Sequence, residues 1–114
     1  MSPRNIAKKI AEFASDKKAD DIVVLDMRKL VNFCDYFVLC SGNTDRQVKA
    51  IADGIDEGLL DLGVEHNFKK ALKTTDWIVL DSGDIITHIF RKDLRDFYHI
   101  ESLWQDAKPI KWEK

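Results

Sequence analysis

Residues 77 to 90 read Trp-Ile-Val-Leu-Asp-Ser-Gly-Asp-Ile-Ile-Thr-His-Ile-Phe, two apolar runs either side of Asp81-Ser-Gly-Asp84. Runs this rich in Ile, Val and aromatic residues, broken by a small polar turn, specify an antiparallel hairpin and commit the chain to a sheet. A two-residue turn at Ser82-Gly83 sets Asp81 opposite Asp84. Alternation then puts Trp77, Val79, Asp81, Asp84, Ile86, His88 and Phe90 on one face. Ile78, Leu80, Ile85, Thr87 and Ile89 form the other, which is more uniformly apolar and is expected to face the core.

Upstream, Thr44-Asp-Arg-Gln47 fits the capping box that opens a helix. Val48, Ile51, Ala52, Ile55, Leu59 and Leu62 follow at helical spacing, and Gly63 supplies a stop. Gly54 and Gly58, four apart within this helix, suggest close approach of another backbone. Ser2-Pro3 caps an earlier helix with Ile6, Ile10, Phe13 and Ala14 on one face, ending near Lys17. Ile22–Leu25 and Tyr36–Cys40 are runs too short for helices and read as buried strands, with an irregular connection over Lys29–Cys34. A short edge strand is expected around Val64–Phe68. Asp93-Leu-Arg-Asp96 caps a last helix running to about Ala107, stopped by Pro109 and followed by an exposed Trp112. The order helix-strand-strand-helix-strand-strand-helix predicts one α/β domain, residues 1–108, with a mixed sheet flanked by helices and a tail at 109–114.

The formal charge is −2, with 45% hydrophobic residues in 114. That suffices for a core, and it is not the strongly basic balance that sequence-independent nucleic-acid binding requires. No apolar run approaches the ~20 residues that span a bilayer, and no signal peptide opens the chain, so a cytoplasmic protein is expected. Cys34 and Cys40 form no C-x-x-C pair and read as packing residues.

A carboxylate–histidine site in the hairpin fails on distance. At ~3.3 Å per residue, His88 lies about 13 Å along the strand from Asp84, too far to share an ion. Asp81 and Asp84 read either as turn residues or as an acidic tip that faces a partner. The Ser41-Gly42 turn resembles that of nucleotidyltransferases, which pair it with a D-x-D or D-x-E carboxylate pair. This chain has no two acidic residues separated by one residue. No catalytic residues, metal or cofactor are therefore expected. A nucleotidyltransferase-like enzyme or nucleotide binder using Ser41-Gly42 remains the alternative.

Four blocks carry a family resemblance: Cys40-Ser-Gly-Asn-Thr-Asp-Arg-Gln-Val48, Ala50-Ile-Ala-Asp53, the hairpin Trp77–Phe90, and Arg95-Asp-Phe-Tyr-His-Ile-Glu-Ser-Leu-Trp-Gln-Asp-Ala107. Together they resemble the ribosomal silencing factor family, also called Iojap-like, over about residues 3–107. The resemblance implies a fold similar to nucleotidyltransferases without their carboxylates, and a non-enzymatic translation repressor. Such proteins bind the large ribosomal subunit through its fourteenth ribosomal protein and sterically block joining of the small subunit, in stationary phase or nutrient limitation. Free members tend to form homodimers. The family pattern falls on Trp77, Asp81, Asp84, His88, Phe90, Arg95, Tyr98 and Trp104, the expected partner-binding residues, with Trp77 and Trp104 equally readable as core. One departure is the missing Glu-Gly pair before Trp77, where this chain reads Phe68-Lys-Lys-Ala-Leu.

Overall fold

A computed structural model of the chain describes residues 1–69, 77–98, 102 and 105–113. In chain order these form α1 (Pro3–Asp16), β1 (Asp20–Asp26), β2 (Tyr36–Gly42), α2 (Asp45–Asp61), β3 (Asn67–Lys69), β4 (Trp77–Asp81), β5 (Ile85–Arg91), α3 (Lys92–Tyr98) and β6 (Lys108–Ile110). The strands make one mixed sheet in the order β3-β4-β5-β2-β1-β6. Among the described residues only β2 and β5 run parallel, and the remaining pairs are antiparallel. A parallel pair needs a long crossover. Here it contains α2, β3 and β4. The expected α/β domain with a mixed, helix-flanked sheet is what the chain forms.

Both N-cap side chains accept as the sequence predicts. Ser2 Oγ accepts from the Asn5 amide at 3.2 Å, and Thr44 Oγ1 from the Gln47 amide at 3.1 Å. The Gln47 side chain reaches one residue further back than a capping box requires, accepting from the Asn43 amide at 2.7 Å. Its Nε2 donates to the Lys18 carbonyl at 2.9 Å, so a local cap also ties the start of α2 to the end of α1. Gly54 and Gly58 do admit a close neighbour, but it is not another backbone. The Lys17 side chain lies over Gly54 and the Phe13 ring over Gly58.

The two helices cover the face that the alternation marks as core. Ala7, Ile10, Ala11 and Ala14 of α1 and Val48, Ile51, Ile55 and Leu59 of α2 pack on Val24, Val38, Leu80, Ile85 and Ile89. Thr87 lies on this face, fully buried, and its Oγ1 has no hydrogen-bond partner among the described residues. A buried hydroxyl left unpaired costs about 1–3 kcal/mol. Thr87→Val, which keeps the branched shape and removes the polar atom, is therefore expected to raise unfolding stability by about 1–2 kcal/mol, measured by urea denaturation at constant m-value. The opposite face carries a second cluster, Leu25, Met27, Cys34, Phe37, Leu39, Phe90 and Ala107, with Val23, Val31, Trp77 and Ile86 half-buried at its margin.

The C-terminal third corrects the sequence reading. α3 starts at Lys92, one residue before the expected cap, and the Asp93 carboxylate instead accepts from Arg91 Nε at 2.7 Å. The last helix does not run to Ala107. Residues 105 and 106 form a turn, and Lys108–Ile110 pair with β1. Pro109 sits opposite Leu25 in an edge strand, where a missing N–H is tolerated. Trp112 is not exposed: it packs against the core and donates Nε1 to the Ile22 carbonyl at 3.3 Å. The physical reason is β1, whose outer edge would otherwise hold unpaired backbone groups.

Candidate functional site

The hairpin turns one residue later than Ser82-Gly83 suggests. Trp77 pairs with Phe90, Val79 with His88 and Asp81 with Ile86, which centres the turn on Gly83-Asp84. Gly83 takes φ +87, a region open to glycine and strained for other residues. The cross-strand partners move by two residues, so both faces keep the membership that alternation gave them. Asp81 and Asp84 do not oppose each other. Asp81 Oδ1 accepts from the Gly83 amide at 2.8 Å, the turn role, and Ser82 Oγ donates to the Ile85 carbonyl at 3.0 Å. The Asp84 carbonyl accepts from the Asp35 and Tyr36 amides at 2.7 and 3.1 Å, pinning the hairpin tip to the start of β2.

An aromatic row crosses this face. Trp77 lies 5.2 Å from Phe90 and 5.9 Å from His88, between ring centres. His88 stacks with Phe90 at 6.0 Å and meets Phe37 edge-on at 4.7 Å, and Phe33 follows Phe37 at 6.4 Å. The Trp77 indole donates from Nε1 to His88 Nδ1 at 3.1 Å. An indole N–H can only donate, so Nδ1 must accept and the proton sits on Nε2. His88 is thus neutral, and burial pushes its pKa down to about 4. Its Nε2 is buried with no partner among the described residues.

His66 shows the reverse logic. Nδ1 meets the Val64 carbonyl at 2.8 Å and Nε2 the Asp56 carboxylate at 2.5 Å. Both neighbours accept, so both nitrogens donate and the ring is an imidazolium. Burial opposes that charge, but the Val64 carbonyl and Asp56 carboxylate outweigh it and raise the pKa.

Two of the expected partner-binding residues are not at the surface. Phe90 is 3% exposed and belongs to the second core cluster. Arg95 is 1% exposed, its Nη1 donating at 2.8 Å to both the Asp21 carbonyl and Ser41 Oγ. Asp21 has φ 51, within an irregular step of the β1–β2 register. Arg95 therefore holds the backbone of that irregularity and the end of β2, rather than facing a partner. Trp77, Asp81 and His88 stay half-buried on the hairpin, and Asp84 is exposed at its tip. Tyr98 closes α3, but its side chain, Trp104, and residues 70–76 with the missing Glu-Gly pair lie outside the described residues. The sequence reading did not single out Leu30 and Phe33, which are 44% and 58% exposed beside this face. Their signal was two large apolar residues in a connection with no helical or strand period.

The Ser41-Gly42 alternative finds no open cradle. Ser41 is fully buried with its hydroxyl engaged by Arg95. A Cβ on Gly42 would stand 2.9 Å from the Val48 amide nitrogen, so α2 already fills the space. Both cysteines are buried, and desolvation pushes the Cys34 thiol up to about 11 and Cys40 up to about 12, away from nucleophilic use.

The chain is thus a mixed sheet with helices on its core face and a half-covered aromatic hairpin on the other. Comparisons with known proteins identify its family. The model of the family described as "Ribosomal silencing factor during starvation" matches residues 1–114, and the chain belongs to that family. It is 38% identical over 107 residues to the ribosomal silencing factor RsfS of Bacillus subtilis, covering 94% of this chain and 91% of that protein. It is 34% identical over 110 residues to the chloroplastic protein Iojap of Zea mays, covering 93% of this chain and 46% of that protein. A crystal structure of a Chromobacterium violaceum protein superposes with TM-score 0.86 at 33% identity, covering 96% of this chain and 92% of that one. No helix among the described residues is long and apolar enough to cross a membrane.

Proposed function

We propose that this chain represses translation by docking on the large ribosomal subunit, through its fourteenth ribosomal protein, and sterically blocking association with the small subunit. Family membership supports the reading, and one structural observation carries the choice of face: the half-buried, aromatic side of the hairpin around Trp77. Trp77 is the central anchor, since large, partly desolvated aromatics supply most of the energy at protein interfaces. Asp81 and Asp84 form an acidic border, and Tyr98 and Trp104 join the reading through the family pattern alone. His88 holds the indole. No catalysis and no cofactor enter this mechanism, and occupancy of the surface suffices. Homodimerisation of the free protein belongs to the same reading, because a second copy seated on the Trp77 face would exclude the subunit.

The test is co-sedimentation with purified large and small ribosomal subunits, separately and mixed. Wild type is expected to pellet with large subunits only and to reduce the yield of joined ribosomes. Trp77→Ala is expected to weaken binding by about 30-fold, the effect of losing an interface anchor, with its melting transition monitored to show that it still folds. Pelleting with neither subunit would end the reading, while binding that survives Trp77→Ala would move the site off this face.

A further inference from the structure

The loop between β1 and β2 carries two large apolar side chains in water. Leu30 is 44% and Phe33 58% exposed, although the flanking Met27 and Cys34 are buried. This loop is not a loose excursion. The Leu30 and Val31 amides both donate to the Met27 carbonyl at 3.0 Å, closing a tight turn. At its far end the Asp35 amide donates to the Asp84 carbonyl at 2.7 Å, fastening the loop to the hairpin tip. Phe33 is also the open end of the aromatic row that passes through Phe37 and His88 to Trp77. Exposed apolar side chains continuous with a half-covered face mark interaction surfaces, and a fixed backbone lowers the ordering cost of using them.

The charge beside this loop selects the partner's chemistry. Asp35 lies two residues after Phe33, and its amide is stapled to the hairpin tip that carries Asp84 and, before the turn, Asp81. The charges of Asp35 and Asp81 both reach the Cys34 thiol between them. Lys29 is the basic residue that lines the loop with Leu30 and Phe33. Arg28, whose guanidinium lies over the Tyr36 ring, is engaged in a two-toothed pair with Asp26 at 3.0 and 2.7 Å. An acidic border of this kind repels a phosphate backbone and attracts basic side chains.

We infer that Leu30 and Phe33, with the border of Asp35, Asp81 and Asp84, form a second half of the docking face that receives a basic, apolar-bearing protein surface and excludes ribosomal RNA. This rests on the proposed large-subunit docking and deepens it: Trp77 anchors one end of the face and Phe33 the other. Because Leu30 and Phe33 are exposed, their replacement leaves the core intact, which separates a binding defect from a folding one.

The experiment is sedimentation binding to purified large ribosomal subunits over a salt series, using wild type, L30S/F33S, D35N/D84N and Trp77→Ala. L30S/F33S is expected to bind about tenfold more weakly with an unchanged melting transition. D35N/D84N is expected to flatten the salt dependence of wild-type binding. Wild-type affinity in L30S/F33S, with binding lost in Trp77→Ala, would overturn this inference and leave the docking reading standing. Tighter binding by the charge-reduced D35N/D84N would overturn the assignment of a basic protein partner and favour RNA. Absence of wild-type binding would remove the docking reading and this inference with it.

Discussion

Arg95→Met is expected to destabilise the fold by about 3–5 kcal/mol, the largest effect of any single substitution considered, although the residue type reads as surface. The guanidinium is 1% exposed, and among its acceptors are the Asp21 carbonyl and the Ser41 hydroxyl. Methionine fills much of the volume but leaves both acceptors buried without a donor, and each orphaned group costs about 1–3 kcal/mol. The Asp21 backbone, held in the left-handed region at φ 51, also loses what holds it there. Equilibrium urea unfolding checks this. A loss below about 1 kcal/mol would show that water replaces the guanidinium and that the arginine is not a structural tie. Arg95→Lys is expected to recover only part of the loss, since a single ammonium lacks the planar fork of donors.

Acidification is the second large effect. His88 is neutral in the fold and burial depresses its pKa from 6.5 to about 4. A base whose folded pKa is depressed binds fewer protons folded than unfolded. Its contribution is therefore full above pH 6.5 and is lost as pH falls towards 4, reaching a loss of about 3 kcal/mol there. Protonation would also place an N–H on Nδ1 against the indole N–H, breaking the Trp77 hydrogen bond. His66 does not follow this course. Its raised pKa keeps its ion pair intact throughout that window, and that contribution is lost only as pH rises through the raised value. The comparison that isolates His88 is stability against pH for wild type and His88→Phe. The wild-type curve is expected to fall more steeply between pH 6.5 and 4, and parallel curves would refute a neutral buried histidine. In the same titration the Trp77 indole proton, assigned by a Trp77→Phe control, is expected to lose protection as the hydrogen bond breaks.

How much of this was legible before the fold was known follows from which signals are local. The start of α2 was, because Thr44 and Gln47 satisfy each other's surroundings within four residues. The two faces of the hairpin were, because a slip of two residues preserves parity even though it changes every cross-strand pair. The turn position was not: Ser82-Gly83 and Gly83-Asp84 are both good turn pairs, and the choice is made by the Asp35 and Tyr36 amides, which reach the Asp84 carbonyl from another strand. Nor was the role of Arg95, whose acceptors lie 74 and 54 positions away in the chain. β6 has three residues, one of them proline, and carries no periodic signal at all. At the proposed docking face the sequence pointed to Trp77 and the acidic turn, but not to Leu30 and Phe33, because exposure of a loop side chain depends on what the rest of the fold covers.

One border of the sheet is β6, a very short strand of three residues. Its middle residue is Pro109, which has no N–H to offer on either side. Intermolecular growth of a sheet requires a run of unpaired backbone donors and acceptors, and short or proline-bearing borders deny it. A chain with a long unpaired border faces the risk that copies zip together edge to edge and are lost irreversibly. With that border blunted, growth of the sheet from the β6 side is disfavoured, and contacts there fall to side chains, whose association is reversible.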